Sequence, residues 1–301
     1  MVDTILLPLD GSDLAEAAIP YCDLIARATG ARIVLMRAVL TADPTRPWAP
    51  TFNAGLVEDA ESYLAEIIAL ALSASVRTEG VVLDAEAGDA ILQVIDAKGA
   101  DLVVMSTHGR SARQGVLWGS VADRVLREAA IPVLLVPRDS EVHWDAETVF
   151  KLVVPLDGSA LAEFVLPPAE ELARVLSAQI VLVRAVGHEP GFPNGVFEGG
   201  GAALEYLERV ATRLRQGGFN VEIAVRDGPA AAVVGQVTLE TGAQSVVMAS
   251  HARQPTDRLF LESVASMVIE TVRVPILVVP SAAPDRKSGN EQPALAWWSF
   301  R

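Results

Sequence analysis

Short apolar runs alternate with amphipathic stretches through the first half of the chain. The apolar runs have the length and the β-branched content of buried strands and cover residues 4–9, 31–39, 81–85, 101–105 and 132–136. The stretches between them carry apolar residues at helical spacing and cover residues 15–28, 57–77, 89–98 and 120–128. This alternation predicts a parallel sheet with helices on both faces and right-handed crossovers.

The segment 105–121, MSTHGRSARQGVLWGSV, connects a predicted strand to the next predicted helix. A helix that begins after such a loop presents backbone N–H groups at the positive end of its dipole, and glycine lets an anion approach them closely. A plain strand-to-helix connection has the same pattern. Ligands of open parallel sheets bind beyond the carboxyl ends of the strands, and both Asp10 and residues 105–109 fall at that edge.

The second half of the chain repeats this pattern. The segment ILLPLDGSDLAE at residues 5–16 returns as LVVPLDGSALAE at residues 152–163. Asp10 is matched with Asp157 at an offset of 147, Gly88 with Gly228 at 140, and residues 101–132 with residues 244–275 at 143. We therefore predict a tandem duplication of one α/β domain, each copy with a doubly wound parallel five-stranded sheet.

The polar segment 138–148 separates the two copies, so the predicted domains are residues 1–139 and 149–281. Residues 282–301 begin with linker composition and end in an aromatic cluster of Trp297, Trp298 and Phe300. Two interpretations of this tail stay open. It is either a disordered extension or a segment that docks onto a groove of its own or another subunit.

Charge and cysteine content narrow the function classes. The chain carries 38 acidic and 24 basic residues, a formal net charge of -14, which argues against nucleic-acid or anionic-membrane partners. Cys22 is the only cysteine, so we predict neither an intrachain disulfide nor a cysteine metal cluster. No apolar run reaches the roughly 18 residues of a membrane helix, and we expect a cytoplasmic protein without a metal site.

Three groups of residues resemble the universal stress protein family in its tandem two-domain form. They are Asp-Gly-Ser after the first strand, Met-x-x-His-Gly at the end of the fourth, and Gly-Ser-Val-Ala-x-x-Val-Leu followed by Ile-Pro-Val-Leu-Leu-Val. The resemblance covers about residues 1–137 and 149–281 and implies a Rossmann-like fold of the adenine nucleotide alpha hydrolase type. Nucleotide-binding members carry glycine, two residues, glycine, nine residues, then Gly-Ser or Gly-Thr. Gly109 and Gly119-Ser120 fit this spacing, whereas Ser106 replaces the first glycine.

The resemblance implies that the first copy binds ATP, with any Mg²⁺ held mainly by phosphate and water oxygens. Phosphates would lie against the backbone of Gly109 and of residues 119–121, and Asp10 would accept hydrogen bonds from the adenine or the ribose. The implied nucleotide-binding residues are Pro8, Asp10, Ala38, Met105, Ser106, His108, Gly109, Arg110, Gly119, Ser120 and Val121.

Several of these residues also have ordinary structural interpretations. Asp10 fits a turn or helix-cap residue, and His108 fits either a phosphate contact or a bond to a neighbouring carbonyl. Arg110 fits a solvated loop side chain as well as a phosphate contact. The Ser106 side chain restricts φ and takes up space where the sugar or phosphates would pass.

The second copy departs from the pattern at three positions. Ala249, Ala252 and Glu262 stand where the first copy has Ser106, Gly109 and Gly119. A carboxylate at the helix start competes with phosphate for the N–H groups, so we predict that the second copy does not bind ATP. Its role would be structural, with residues 275–279 pairing with residues 132–136 to cover two strand edges. Further association into a homodimer is compatible with this arrangement.

Two functions from different classes follow. The first is a universal stress protein that binds ATP in its N-terminal domain and acts as a nucleotide-dependent regulatory or stress-response protein. We do not predict an enzyme, because no motif places a catalytic base, a phosphate loop or metal carboxylates, although slow ATP hydrolysis stays open. The alternative is a nucleotide-free interaction module with vestigial sites.

Overall fold

The computed structural model describes residues 2–42, 45–46, 49–108, 119–140, 144, 149–187, 200–250 and 264–280. The chain divides into two compact units, which are residues 2–139 and the residues from Ser140 onward. Each unit has the predicted α/β architecture. No helix within the described ranges is long and apolar enough to cross a membrane.

Unit one (residues 2–139) is built on a five-stranded parallel sheet. Its strands are β1 (Thr4–Pro8), β2 (Arg32–Val39), β3 (Thr78–Asp84), β4 (Leu102–Ser106) and β5 (Val133–Val136). They lie in the order β3-β2-β1-β4-β5, and every neighbouring pair is parallel. The helices are α1 (Asp13–Glu16), α2 (Ile19–Thr29), α3 (Ala49–Leu70), α4 (Ala87–Lys98) and α5 (Ser120–Glu128).

Unit two (from Ser140) has the same order of elements. Its strands are β6 (Lys151–Pro155), β7 (Gln179–Val186), β8 (Val221–Asp227), β9 (Ser245–Ser250) and β10 (Ile276–Pro280). They form a parallel sheet in the order β10-β9-β6-β7-β8. The helices are α6 (Ala160–Glu163), α7 (Leu166–Leu176), α8 (Gly200–Gln216), α9 (Ala230–Thr241) and α10 (Val264–Thr271). The predicted duplicated, doubly wound fold is therefore confirmed.

The sheet of each unit is buried on both faces. Ile5, Leu6 and Leu7 of β1 are fully buried, although neighbouring side chains of a strand point to opposite faces. Such continuous apolar strands are characteristic of parallel sheets with helices on both sides. Cys22 on α2 is fully buried as well, and this burial raises the pKa of its thiol, as expected for a packing residue.

Two helices depart from the predicted ranges. The predicted helix 15–28 is split into α1 and α2, because Pro20 has no N–H and its ring clashes with the preceding turn, so it fits only at a helix start. The predicted helix 57–77 instead runs from Ala49 to Leu70. The prolines near residue 50 had indicated a longer loop, but a proline is tolerated in the first turn of a helix.

The strand registers correct one match between the two copies. Ile33 pairs with Thr78 in unit one, and the equivalent Ile180 pairs with Val221 in unit two. The offset between the copies is therefore 147 in the first two strands and 143 from the third strand onward. The match of Gly88 with Gly228 at 140 is wrong, since Gly228 follows β8 directly whereas Gly88 lies inside α4.

An aromatic pair lies at the start of unit two. Trp144, inside the polar segment predicted as a linker, is buried and meets Phe150 edge-on with 5.8 Å between the ring centroids. The Trp144 indole Nε1 also donates to the Gln244 carbonyl oxygen at 3.1 Å. These contacts attach this part of the segment to unit two.

A side chain just before the fourth strand ties it to the first strand in both units. Asp101 Oδ2 accepts hydrogen bonds from the amides of Asp3 and Thr4, at 2.9 and 3.0 Å. In unit two, Gln244 Oε1 accepts from the Lys151 amide at 2.7 Å. Both side chains therefore accept hydrogen bonds from backbone amides at the start of a central strand.

We expect Asp101→Ala to lower the free energy of unfolding by about 1 to 2 kcal/mol, because it removes the acceptor of two backbone amides. Urea unfolding monitored by circular dichroism measures this change. Asp101→Asn is the matched control, since its amide oxygen can still accept, and it should lose less. Equal losses in the two variants would show that charge, and not the acceptor, matters at this position.

Candidate functional site

A cavity of about 200 Å³ opens at the carboxyl edge of the first sheet. Its walls come from the ends of β1, β2 and β4, from α4, and from the N-terminus of α5. The lining residues are Pro8, Leu9, Asp10, Ala15, Met36, Ala38, Ala87, Ile91, Met105, Ser106, Thr107, His108, Gly119, Ser120, Val121 and Ala122. The cavity is apolar over most of this surface and polar where Asp10, residues 106–108 and Ser120 meet it.

The turn after β1 presents Asp10 at the cavity. Asp10 Oδ1 accepts from the Ser12 amide at 3.0 Å and from the Ser12 hydroxyl at 2.6 Å. Ser12 is the N-cap of α1, because its hydroxyl oxygen accepts from the Ala15 amide at 3.2 Å. Gly11 between them has φ +79°, a left-handed conformation that glycine adopts without strain. Asp10 thus has the turn role and also lines the cavity.

Ser106 ends β4 and is buried beside the cavity. Its backbone needs no glycine, since among the described non-glycine residues only Ser177 has a positive φ. The Ser106 hydroxyl donates to the His108 carbonyl oxygen, and His108 Nδ1 lies 3.1 Å from the Thr107 hydroxyl. The Ser106 side chain therefore orders residues 106–108. The sequence had indicated only that this side chain takes up space where the sugar or phosphates would pass.

Gly119 brings the N-terminus of α5 against the end of β4. Its amide donates to the Thr107 carbonyl oxygen at 2.8 Å, and a Cβ at this position would lie 3.3 Å from that oxygen. Gly119 is the N-cap of α5, and no side chain in the described part of the chain caps the helix. The first residues of this nine-residue helix line the cavity, and the unpaired backbone amides of a helix N-terminus are groups that bind anions.

The structure brings together every predicted site residue that it describes. Pro8, Asp10, Ala38, Met105, Ser106, His108, Gly119, Ser120 and Val121 all line the cavity. Gly109 and Arg110 lie outside the described residues, so their predicted contacts stay predictions. Within the described lining, Asp10 and His108 are the ionisable side chains, and the positive end of α5 is the feature that attracts anions.

Sequence reasoning missed several apolar walls of the cavity. Met36 lies two residues before Ala38 on β2, and alternate strand residues share a face, so this signal was available. Ala87 and Ile91 lie four apart on α4 and share a helix face in the same way. Their place beside β4 depends on the strand order, which the spacing of residues along the chain does not give.

The segment after β2 is fixed beside the same sheet edge. The Asn53 side chain of α3 accepts from the Ala42 amide at 2.8 Å and donates to the Ala42 carbonyl oxygen at 2.9 Å. Asp84 at the end of β3 accepts from the Thr41 hydroxyl and from the Thr41 amide. These two bonds lower the pKa of the Asp84 carboxyl, the hydroxyl having the larger effect.

Unit two repeats the turn of unit one. The Ser159 amide donates to Asp157 Oδ1 at 2.8 Å, and the Ser159 hydroxyl oxygen accepts from the Ala162 amide at 3.0 Å. Ala249 lies in β9 at the position of Ser106. Ala252 and Glu262, on which the predicted loss of ATP binding depends, lie outside the described residues.

The fold defines a class, the tandem doubly wound α/β proteins with Rossmann-like parallel sheets. Within it, the chain belongs to the universal stress protein family, whose sequence model matches residues 1–137 and again residues 149–280. The resemblance stated from the sequence motifs is thereby confirmed.

Individual relatives agree with this assignment. A universal stress protein of Thermus aquaticus is 38% identical over 139 residues, which are 45% of this chain and 99% of that protein. A Synechocystis universal stress protein is 22% identical over 300 residues, covering 91% of this chain and 98% of its own. The crystal structure of an Archaeoglobus fulgidus universal stress protein superposes with a TM-score of 0.73 at 20% identity, covering 93% of this chain and 98% of that one, and shows the shared fold.

Removing the Thr41 hydroxyl should raise the pKa of the Asp84 carboxyl toward its ordinary value. Because the folded-state pKa of Asp84 is lowered, the bonds to Thr41 stabilise the fold fully at pH values above the ordinary pKa range of aspartate. This stabilisation is lost as the pH falls through the lowered pKa of the folded state. NMR titration of the carboxyl carbons in Thr41→Val measures the change. Thr241→Val removes a hydroxyl that donates to a carbonyl in α9 and should leave Asp84 unchanged. An Asp84 titration equal in both variants would contradict this assignment.

Proposed function

We propose that this universal stress protein binds ATP in unit one and acts as a nucleotide-dependent regulatory or stress-response protein. The observation that carries the proposal is the cavity at which the Asp10 turn, the apolar strand ends and the N-terminus of α5 meet. Binding, and not turnover, is the proposed activity. Signalling would then depend on the fraction of the protein that holds nucleotide.

The chemistry of the cavity supports a ligand with an apolar face at one end and an anion at the other. Ala38, Met36 and Ile91 offer contacts for a flat base, and the Asp10 carboxylate offers an acceptor for the amino group or the ribose hydroxyls. The amides of Ser120 and Val121 offer donors to phosphate oxygens. Asp123 in the first turn of α5 is paired with Arg127 at 2.8 Å, which reduces its repulsion of an anion.

Co-purification and thermal unfolding test the proposal. The supernatant of heat-denatured protein should contain adenine nucleotide, and ATP should raise the melting temperature. At 100-fold excess over Kd, the expected stabilisation is about 2.7 kcal/mol. A protein that is purified empty and shows no ATP-dependent shift would support the nucleotide-free interaction module instead.

Gly119→Glu copies the residue of unit two into unit one and should weaken ATP binding strongly. The new carboxylate would occupy the helix N-terminus and repel phosphate. Gly119→Gln is the matched control, because it adds the same bulk near the Thr107 carbonyl without the charge. Isothermal titration should show at least about a tenfold weaker affinity for the Glu variant than for the Gln variant. Equal affinities would place the phosphates elsewhere.

Ser106 variants test whether this side chain obstructs the ligand or orders its site. Ser106→Ala removes the hydroxyl and keeps Cβ, whereas Ser106→Gly removes both. We expect both variants to bind ATP roughly two- to tenfold more weakly, since each loses the bond to the His108 carbonyl. If Ser106→Gly instead binds more tightly than the native chain, obstruction is the dominant effect of the serine.

A further inference from the structure

A glutamate, an arginine and a tyrosine form the same cluster in both units. In unit one, the Tyr63 hydroxyl on α3 donates to Glu16 Oε1 at 2.8 Å, and the Arg37 guanidinium of β2 lies over the Tyr63 ring, 4.8 Å from its centroid. The cluster thus joins α1, β2 and α3. None of its three side chains lines the cavity.

Unit two contains the equivalent cluster. The Tyr206 hydroxyl on α8 donates to Glu163 Oε1 at 3.0 Å, and the Arg184 guanidinium lies 5.0 Å from the Tyr206 ring centroid. The two glutamates are 147 residues apart in the sequence, and so are the two arginines, which is the offset of the first two strands. The two tyrosines are 143 residues apart, which is the offset of the later elements. The two copies have thus kept one geometry across segments that changed in length.

In unit one the cluster connects directly to the turn that holds Asp10. Glu16 is the last residue of α1, and its amide donates to the Ser12 carbonyl oxygen at 3.1 Å. Ser12 in turn donates its hydroxyl to Asp10 Oδ1 at 2.6 Å. A continuous set of hydrogen bonds therefore runs from the Tyr63 hydroxyl to the carboxylate at the cavity.

The helix between these two ends needs such support. α1 contains four residues, and a single isolated turn is unstable because it fixes several dihedral angles for few hydrogen bonds. Partial burial, the bond to Glu16 and the negative charge of Asp10 all raise the pKa of Tyr63, with burial first. The phenol therefore keeps its proton, and its donor, throughout the physiological pH range.

We propose that Tyr63 is a positioning residue, which holds α1 through Glu16 and thereby places the Asp10 carboxylate for the nucleotide. The ligand part of this inference rests on the proposed function. The hydrogen-bonded link from Tyr63 through Glu16 to α1, which we call the tie, does not rest on it. The tie concerns how well α1 is ordered in the chain without ligand.

Tyr63→Phe removes only the hydroxyl, and Tyr206→Phe is a matched control that removes the equivalent bond in unit two. Amide hydrogen exchange on the full chain without nucleotide should be faster at Ala15–Ala17 in the first variant and at residues 162–164 in the second. We expect both variants to melt at similar temperatures. Unchanged exchange at residues 15–17 in Tyr63→Phe would overturn the tie.

Titration with ATP and with adenosine tests the positioning. Tyr63→Phe should weaken both ligands by the same factor, roughly threefold to tenfold, because Asp10 contacts the base or ribose that they share. Tyr206→Phe should bind both as the native chain does. In Asp10→Asn, adding Tyr63→Phe should cause little further loss.

The outcomes separate the two proposals. If the native chain binds ATP and Tyr63→Phe binds both ligands equally well, the positioning role is overturned while the proposed function stands. The positioning role is also overturned if the losses of affinity caused by Tyr63→Phe and by Asp10→Asn add up in the double variant. If the native chain binds no nucleotide, the proposed function fails, and the exchange of residues 15–17 alone then supports or overturns the tie.

Discussion

Parallel pairing of the strands is the constraint on which the candidate site depends. Parallel strands enter the sheet from the same side, so the chain must cross back through a helix each time, and all carboxyl ends meet at one edge. The ends of β1, β2 and β4 are adjacent for this reason, although Asp10 and Ser106 are far apart in the sequence. The cavity forms where the strand order reverses, because β1 is followed by β2 on one side and β4 is followed by β5 on the other.

The two ends of that cavity use different physical effects. The apolar end depends on side chains such as Met36 and Ile91, and it tolerates changes that keep volume. The polar end depends on backbone amides at the start of α5, where the Gly119 amide donates to the Thr107 carbonyl oxygen and the lack of a Cβ allows this close approach. A ligand that satisfies both ends must itself be part apolar and part anionic. The Ser106 hydroxyl belongs to the second end, since it orders the carbonyl of His108 there.

The sequence was informative where one local pattern has one structural outcome. Apolar runs, the Asp10-Gly11-Ser12 turn and the spacing of Gly119-Ser120 predicted both the sheet and most of its edge. Helix limits such as Ala49 were missed because proline tolerates a helix start as well as a loop. The bond between Glu16 and Tyr63 was missed because it joins helices whose relative positions depend on the packing of the whole sheet.

Duplication within one chain separates requirements of the fold from requirements of the site. Features that both units possess, such as the amide acceptors Asp101 and Gln244, stabilise the sheet whether or not a ligand binds. Features that differ in sequence, such as Gly119 against Glu262, are those on which the proposed difference in ligand binding depends. The Tyr63 cluster belongs to the first group by its presence in both units. Under the proposed function it affects binding only in unit one, where the aspartate that it supports lines the same cavity as the N-terminus of α5.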